Sequence, residues 1–209
     1  MNTVRFWFPL QSRTEPAMPG LAHHMYTMAA NNAWANHRLL AACAQLSQDD
    51  FAAKRTSFFP SLKATLNHIV TVDWYYVDAL ERALRREPAN ADAIAFFDPP
   101  EPFTTCAEIS VAQHAVDQRL LAACRDITDA QMDMPVAITR RSGVQYETAA
   151  RLLAHLFQHQ IHHRGQAHAM LAGTAVKPPP LDEFFCANEA HLRAQELAEI
   201  GLSEEAVFA

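Results

Sequence analysis

The chain has 209 residues, of which half are hydrophobic, 19% are charged and only five are glycine. This length fits a single domain with a sizeable core, and the abundance of alanine and leucine favours a mainly helical fold. The net charge of −6, counted with neutral histidine, argues against a nucleic-acid partner, which would select a basic surface. No apolar run approaches the roughly 18 residues of a membrane-spanning helix, so we expect no membrane partner.

Residues 1–20 are predicted to form an N-terminal arm that precedes one domain over residues 21–209. The apolar cluster Val4–Leu10 in this arm is too short for the core of a signal peptide and contains a proline. We therefore expect the arm to pack its aromatic side chains on the body or on a partner subunit. The alternative is that the true start of the chain is Met18 or Met25.

Apolar periodicity and helix punctuation predict five helices along the rest of the chain. Their expected spans are approximately Leu21–Leu46, Ser61–Arg86, Thr104–Ile127, Thr148–Gly173 and Asp182–Ile200. The most economical architecture for this set is an all-α fold, in which a four-helix bundle is followed by a C-terminal helix.

Two connections between these helices are long. Residues 87–102 contain four prolines, and this length suits a crossover between two parallel helices, the second and the third. Residues 134–146 have a β-type composition around Gly143, which predicts a long loop or a small hairpin.

The four cysteines are widely separated and form no Cys-x-x-Cys pair. This pattern favours buried, reduced thiols in a cytoplasmic protein and disfavours a thiolate metal site. The four positions are Cys43, Cys106, Cys124 and Cys186.

Five histidines lie within fourteen residues of the fourth predicted helix. They are His155, His159, His162, His163 and His168. Two imidazoles one turn apart on one helix face can bind the same metal ion. Helix geometry leaves three such pairs open, because His159 can act with His155, with His162 or with His163.

A catalytic zinc ion usually has three protein ligands and one open position, so a third ligand should come from another helix. His68 is the best candidate, since it lies among apolar residues early in the second predicted helix. The alternative for His68 is a core histidine that bonds a neighbouring group.

Three segments of the chain, taken together in this order, resemble the DinB family. They are Asn32–Leu40; Thr65–Ile69 with the aromatic residues Trp74–Tyr76 after it; and His155–Gln166 with Gly173 and Pro178–Pro180 after it. The resemblance covers about residues 21–185. It departs from the family pattern at Gln158, where asparagine is common.

The resemblance implies a four-helix bundle with a long crossover, often a homodimer, that holds a divalent metal ion on three histidines. Carried over to this sequence, those ligands are His68, His159 and His163, whereas His155 and His162 are not ligands. Relatives in the family are thiol-dependent S-transferases and isomerases. The resemblance therefore implies a small-molecule substrate such as a low-molecular-weight thiol.

A site of three imidazoles without a carboxylate suits zinc or nickel, and imidazole also serves copper and iron. Zinc is the first expectation, because the open position would lower the pKa of a bound water to about 7 or activate a thiol. We therefore predict a metal-dependent transferase or hydrolase whose substrate and catalytic residues the sequence does not identify. The alternatives are a non-enzymatic metal-binding or damage-inducible stress protein, and a purely structural role for the histidines.

Other polar residues near these motifs have structural interpretations. Asp73 and Asp78 are expected on solvated helix faces. Tyr75 and Tyr76 are expected in the core or an interface, and the alternative is that they line a pocket. Gly165 would let another element approach closely. The neighbouring residue Arg164 would either pair with an acidic group across the bundle or bind a substrate anion.

Overall fold

The computed structural model describes residues 20–208, so the predicted N-terminal arm lies outside the described residues except for Gly20. This part of the chain contains seven α-helices and one β-hairpin, and the predicted all-α fold class is confirmed. In chain order the elements are α1 (Leu21–Cys43), α2 (Gln48–Ala52), α3 (Leu62–Arg85), α4 (Cys106–Asp126), β1 (Pro135–Arg140), β2 (Gly143–Thr148), α5 (Ala149–Leu171), α6 (Ala190–Glu199) and α7 (Glu204–Phe208).

Side-chain caps fix where three of the long helices begin. Ser61 accepts a hydrogen bond from the backbone N–H of Ala64, 3.0 Å away, at the start of α3. Thr105 and Glu108 form a reciprocal capping box at the start of α4, and Thr148 caps α5. Each cap satisfies backbone N–H groups that have no partner within the helix.

The first helix is capped by a residue that is distant in sequence. Asp129 accepts a hydrogen bond from the backbone N–H of Ala22 at 2.7 Å. A Cβ atom at position 20 would lie only 1.8 Å from the Asp129 carboxylate. Gly20 therefore permits the close approach that this cap requires.

The four long helices contact one another in a closed ring, in which α1 and α3 each pack against both α4 and α5. Two side-chain pairs give the relative direction of α3 and α4. Asn67 donates to the carbonyl oxygen of Phe103, and Glu81 pairs with Arg119 at 2.8 Å. The two helices therefore run parallel, and residues 86–105 form the predicted crossover.

Apolar side chains fill the interior of this ring, and the C-terminal segment adds to it. Trp34, Leu120, Leu152 and Phe184 are among the fully buried side chains. Among the described helices, none is both long enough and apolar enough to cross a membrane.

The last predicted helix begins later than expected, since the sequence indicated Asp182 and α6 begins at Ala190. The cause is Phe184, which is fully buried with its ring centroid 5.5 Å from that of Trp34. Arg193 donates to the carbonyl oxygens of Glu183 and Cys186, at 3.3 and 3.0 Å. This arginine satisfies backbone groups that a continuous helix would otherwise pair.

Residues 134–146 were predicted to form either a long loop or a small hairpin, and a hairpin is observed between α4 and α5. Strands β1 and β2 are antiparallel, with Pro135 opposite Thr148 and Arg140 opposite Gly143. The four cysteines are all free, as expected, but only two of them, Cys43 and Cys124, are buried. Cys186 is exposed, so the prediction of buried thiols is wrong there.

Candidate metal centre

Three histidines from two helices meet at the surface between α3 and α5. His68 of α3 lies with its Nε2 atom 2.9 Å from Nε2 of His159 of α5. The ring centroid of His163 lies 4.7 Å from that of His68 and 4.4 Å from that of His159. One ligand atom from each histidine lies within 4.8 Å of the other two.

Among residues 20–208, this is the one group of three or more histidine, cysteine or acidic side chains whose ligand atoms lie so close together. The structure thus brings together the set that the resemblance implied: His68, His159 and His163. It also favours His163 over the other partners for His159 that helix geometry had left open. Metal binding by this set stays a prediction.

Burial keeps these imidazoles neutral at physiological pH. Burial and the neighbouring His163 lower the pKa of His68 to about 4. Burial and the four neighbouring histidines lower the pKa of His159 to about 3, and burial also lowers the pKa of His163. A neutral imidazole has a free lone pair, which is the form that binds a metal ion.

Gln166 orients one of the three rings. Its side-chain oxygen lies 2.9 Å from Nδ1 of His163, and its amide nitrogen lies 3.0 Å from Nε2 of His162. Because an amide oxygen only accepts hydrogen bonds, Nδ1 of His163 carries the proton and donates it. Nε2 of His163 is then left with a free lone pair, as in metal-binding histidines whose second nitrogen is held by an acceptor.

The geometry of the cluster fits a divalent metal ion. Tetrahedral nitrogen ligands about 2.0–2.1 Å from an ion lie about 3.3 Å from one another, and the 2.9 Å between His68 and His159 needs to open by only a few tenths of an ångström.

Two adjacent phenylalanines from the α2–α3 connection cover one side of the cluster. The ring of Phe59 lies 4.4 Å from the ring of His68, and Phe58 lies against Phe59 at 4.9 Å. Phe58 is 77% exposed beside the histidines. Neither residue was predicted from the sequence, although their position just before the Ser61 cap of α3 was a usable signal.

The other histidines of α5 stay outside the cluster. His155 is exposed, and its ring centroid lies 6.3 Å from that of His159. His162 is exposed and lies beside Gln166, whereas His168 faces the carbonyl oxygen of Pro179 at 2.9 Å.

A buried polar network lies behind the histidines, in the centre of the helix ring. Asp73 is only 1% exposed and accepts hydrogen bonds from Gln113 and Gln160. The expectation of a solvated Asp73 is therefore wrong. Burial raises the pKa of this carboxyl to about 6 against the lowering effect of both glutamines.

The same network contains a second carboxylate and an arginine. Asp117 of α4 accepts from Asn32 and Asn36 of α1 and from Gln113. Burial and the nearby Asp73 raise the pKa of Asp117 to about 7. Arg164 is also buried and donates to the two asparagines, so it contributes to the network rather than facing a substrate.

Three smaller predictions have mixed outcomes. Tyr75 and Tyr76 are both buried, as predicted. Asp78 is partly buried and pairs with Arg82 at 3.1 Å. The expected close approach at Gly165 is wrong, because a Cβ atom there would meet nothing within 4 Å.

Comparison with known proteins identifies the family of this chain. A family model described as the DinB family matches residues 19–197. The chain belongs to the DinB family. It is also similar to Protein DinB of Bacillus subtilis (strain 168), with 24% identity over 155 residues that cover 72% of this chain and 86% of that protein. The resemblance seen in the sequence is thus confirmed for this DinB family member.

Proposed function

We propose that this DinB family protein binds one divalent metal ion through His68, His159 and His163 and acts as a metal-dependent enzyme on a small molecule. The observation that carries the proposal is the convergence of three neutral imidazoles, with ligand atoms within 4.8 Å of one another. No carboxylate belongs to this group of described residues, which favours zinc or nickel over ions that prefer oxygen ligands.

The reaction type that fits such a centre is thiol-dependent S-transfer or hydrolysis. A zinc ion with three protein ligands keeps an open position, where the pKa of a bound water or thiol falls towards neutrality. The protein itself would hold the ion between α3 and α5, with Gln166 orienting His163. Phe59 shields the His68 side from water and limits access to the cluster.

Metal content of the untagged protein tests the proposal directly. Plasma mass spectrometry should find about one metal ion per chain in the unmodified protein and a strong loss in His68→Ala. The matched control is His155→Ala, which removes an exposed histidine of the same stripe and should keep the metal. Equal metal content in all three proteins would contradict the proposed ligand set.

Enzymatic turnover is tested separately from metal binding. The metal-loaded protein and His68→Ala would be assayed with low-molecular-weight thiols and electrophilic acceptors, and with simple ester substrates. We expect turnover that requires both the metal and His68. A stably bound metal with no turnover in any assay would favour the non-enzymatic alternative, a metal-binding stress-response protein.

A further inference from the structure

The inner face of the β-hairpin ends in an arginine. Alternate residues of β1 share one face, and the first two on the inner face, Val136 and Ile138, are buried at 0% and 2% exposure. The third inner position is Arg140, opposite Gly143, which has no side chain to cover it. The hairpin therefore presents a guanidinium group to the helices at the point where an apolar residue would continue the pattern.

Arg140 lies over two tyrosines and has no acidic partner among residues 20–208. Its guanidinium carbon is 5.4 Å from the ring centroid of Tyr75 and 5.7 Å from that of Tyr76. Its one hydrogen bond within residues 20–208 is donated by Nη2 to the Tyr76 hydroxyl oxygen at 3.2 Å. The aromatic rings fix the position of the group without neutralising its charge.

A cavity of about 170 Å³ opens beside this arginine. Its charged lining residues are Arg140, Arg151 and Glu147, and Glu147 pairs with Arg151 at 3.3 Å. Two positive charges and one negative charge leave the cavity with a net charge of +1, in a chain whose net charge is −6. The unneutralised charge is that of Arg140.

The cavity adjoins the candidate metal centre. His155, which lines it, lies one helical turn before His159, with a ring-centroid distance of 6.3 Å. Tyr76 also lines the cavity, and its ring packs edge-on against His155 at 5.3 Å. A small molecule with one end at the histidines could therefore place its other end beside Arg140.

We propose that the guanidinium of Arg140 and the hydroxyl of Tyr76 bind a carboxylate group of the substrate. The tyrosine oxygen accepts from Arg140, which leaves its own O–H able to donate, so the two residues can offer hydrogen-bond donors to the cavity that they line. A carboxylate matches this pair, because it only accepts hydrogen bonds and its charge compensates the arginine. The inference rests on the proposed function and narrows its substrate class to carboxylate-bearing small molecules, thiols among them.

Two matched thiols test the proposal, since 3-mercaptopropionate and 3-mercaptopropionamide differ in charge and little else. Binding to the full-length, cobalt-loaded protein would be followed by the thiolate-to-cobalt absorption band. We expect the unmodified protein to bind the carboxylate thiol about tenfold more tightly than the amide. Arg140→Gln should abolish this preference and Tyr76→Phe should reduce it, whereas the exposed neighbour variant Arg141→Gln should keep it.

A second readout does not depend on the metal. Titration with propionate should shift the side-chain Nε–H nuclear magnetic resonance signal of Arg140 in the unmodified protein and also in His159→Ala. Equal binding of the two thiols together with an unmoved Arg140 signal would overturn the carboxylate subsite. If no thiol or no cobalt binds but propionate still shifts this signal, the proposed metal chemistry fails and the subsite stands.

Discussion

Two neighbouring stripes of α5 have opposite characters. His159 and His163 face α3 near the surface, whereas Gln160 and Arg164, one residue further along in each case, face the centre of the helix ring. The central stripe is bonded to groups from the other helices. The histidine stripe instead meets His68, with Nε2 of His159 lying 2.9 Å from Nε2 of His68. Polar groups that pair with one another stabilise a fold, whereas neutral imidazoles keep lone pairs that can bind a ligand.

The two stripes depend on each other through the rotation of α5. All four long helices contribute to the central network, with Asn32 and Asn36 from α1, Asp73 from α3, Gln113 and Asp117 from α4, and Gln160 and Arg164 from α5. Rotating α5 by one residue would move Arg164 away from the two carboxylates it stabilises. The network therefore fixes which face of α5 meets α3, and so places the histidines opposite His68.

The largest effect is expected from removing the arginine of the network. Arg164→Met would leave two buried carboxylates without their nearby positive charge, and uncompensated buried charge costs about 3–5 kcal/mol. Urea unfolding at pH 7.5 measures this loss. The control Arg151→Met removes an arginine that is 77% exposed and should change the free energy of unfolding by about 0.5 kcal/mol or less. Similar stability of the two variants would show that the network is not structural.

The second effect is expected in the histidine stripe, where a change should alter ligand binding more than folding. Added zinc at about 100 times its dissociation constant would stabilise the unmodified protein by about 2.7 kcal/mol, because only the folded state binds it. His159→Ala should lose this stabilisation and His155→Ala should keep it. Thermal unfolding with and without zinc gives both values, and loss in His155→Ala alone would identify a different ligand set.

A smaller effect is expected from Gln166, which orients a ligand without being one. Gln166→Met keeps the volume of the side chain but removes the acceptor for Nδ1 of His163. Loss of such an outer hydrogen bond typically weakens metal affinity about 10-fold to 100-fold. Competition with a chelating dye measures the affinity, and His162→Ala serves as the control because it leaves the contact between Gln166 and His163 intact. Unchanged affinity in Gln166→Met would separate this contact from metal binding.

The sequence predicted the elements that are determined by residues close to one another in the chain. Helix periodicity gave the spans of α1, α3, α4 and α5 to within a few residues, and capping residues such as Ser61 marked their starts. The helix spans and caps can be predicted because each depends on residues within one or two helical turns. The full ligand set was implied only by the family resemblance, because the spacing of the histidines left three pairs open and His68 lies 91 residues before His159.

The buried network could not be predicted in the same way. Helix geometry placed Asp73 about 140° around the helix from His68. It could not show which neighbouring helix covers that face. Gln113 and Gln160, which bond Asp73, lie 40 and 87 residues away in sequence. The same limit applies to Arg140, whose contacts depend on how the hairpin packs against α3.

In metal-free protein, the histidine cluster and the central network should change the free energy of unfolding with pH in opposite directions. The pKa values of His68 and His159 fall from 6.5 to about 4 and about 3 on folding. The unfolded chain therefore binds more protons at these histidines, and their contribution to stability is lost as the pH falls below about 6.5. The pKa values of Asp73 and Asp117 instead rise from 3.8 to about 6 and about 7. Their contribution is present at low pH and is lost as the pH rises from about 4 to 7.

Urea unfolding in chelator between pH 7 and pH 4 separates these contributions. The double variant His68→Ala/His159→Ala should gain stability relative to the unmodified protein as the pH falls from 6.5 to 4. Asp117→Asn should show the reverse trend, gaining relative stability as the pH rises through the same range. Since each comparison is a difference between two proteins, the titration of groups far from the changed residues cancels. A difference that is independent of pH in either variant would show that the corresponding region does not exchange protons on folding.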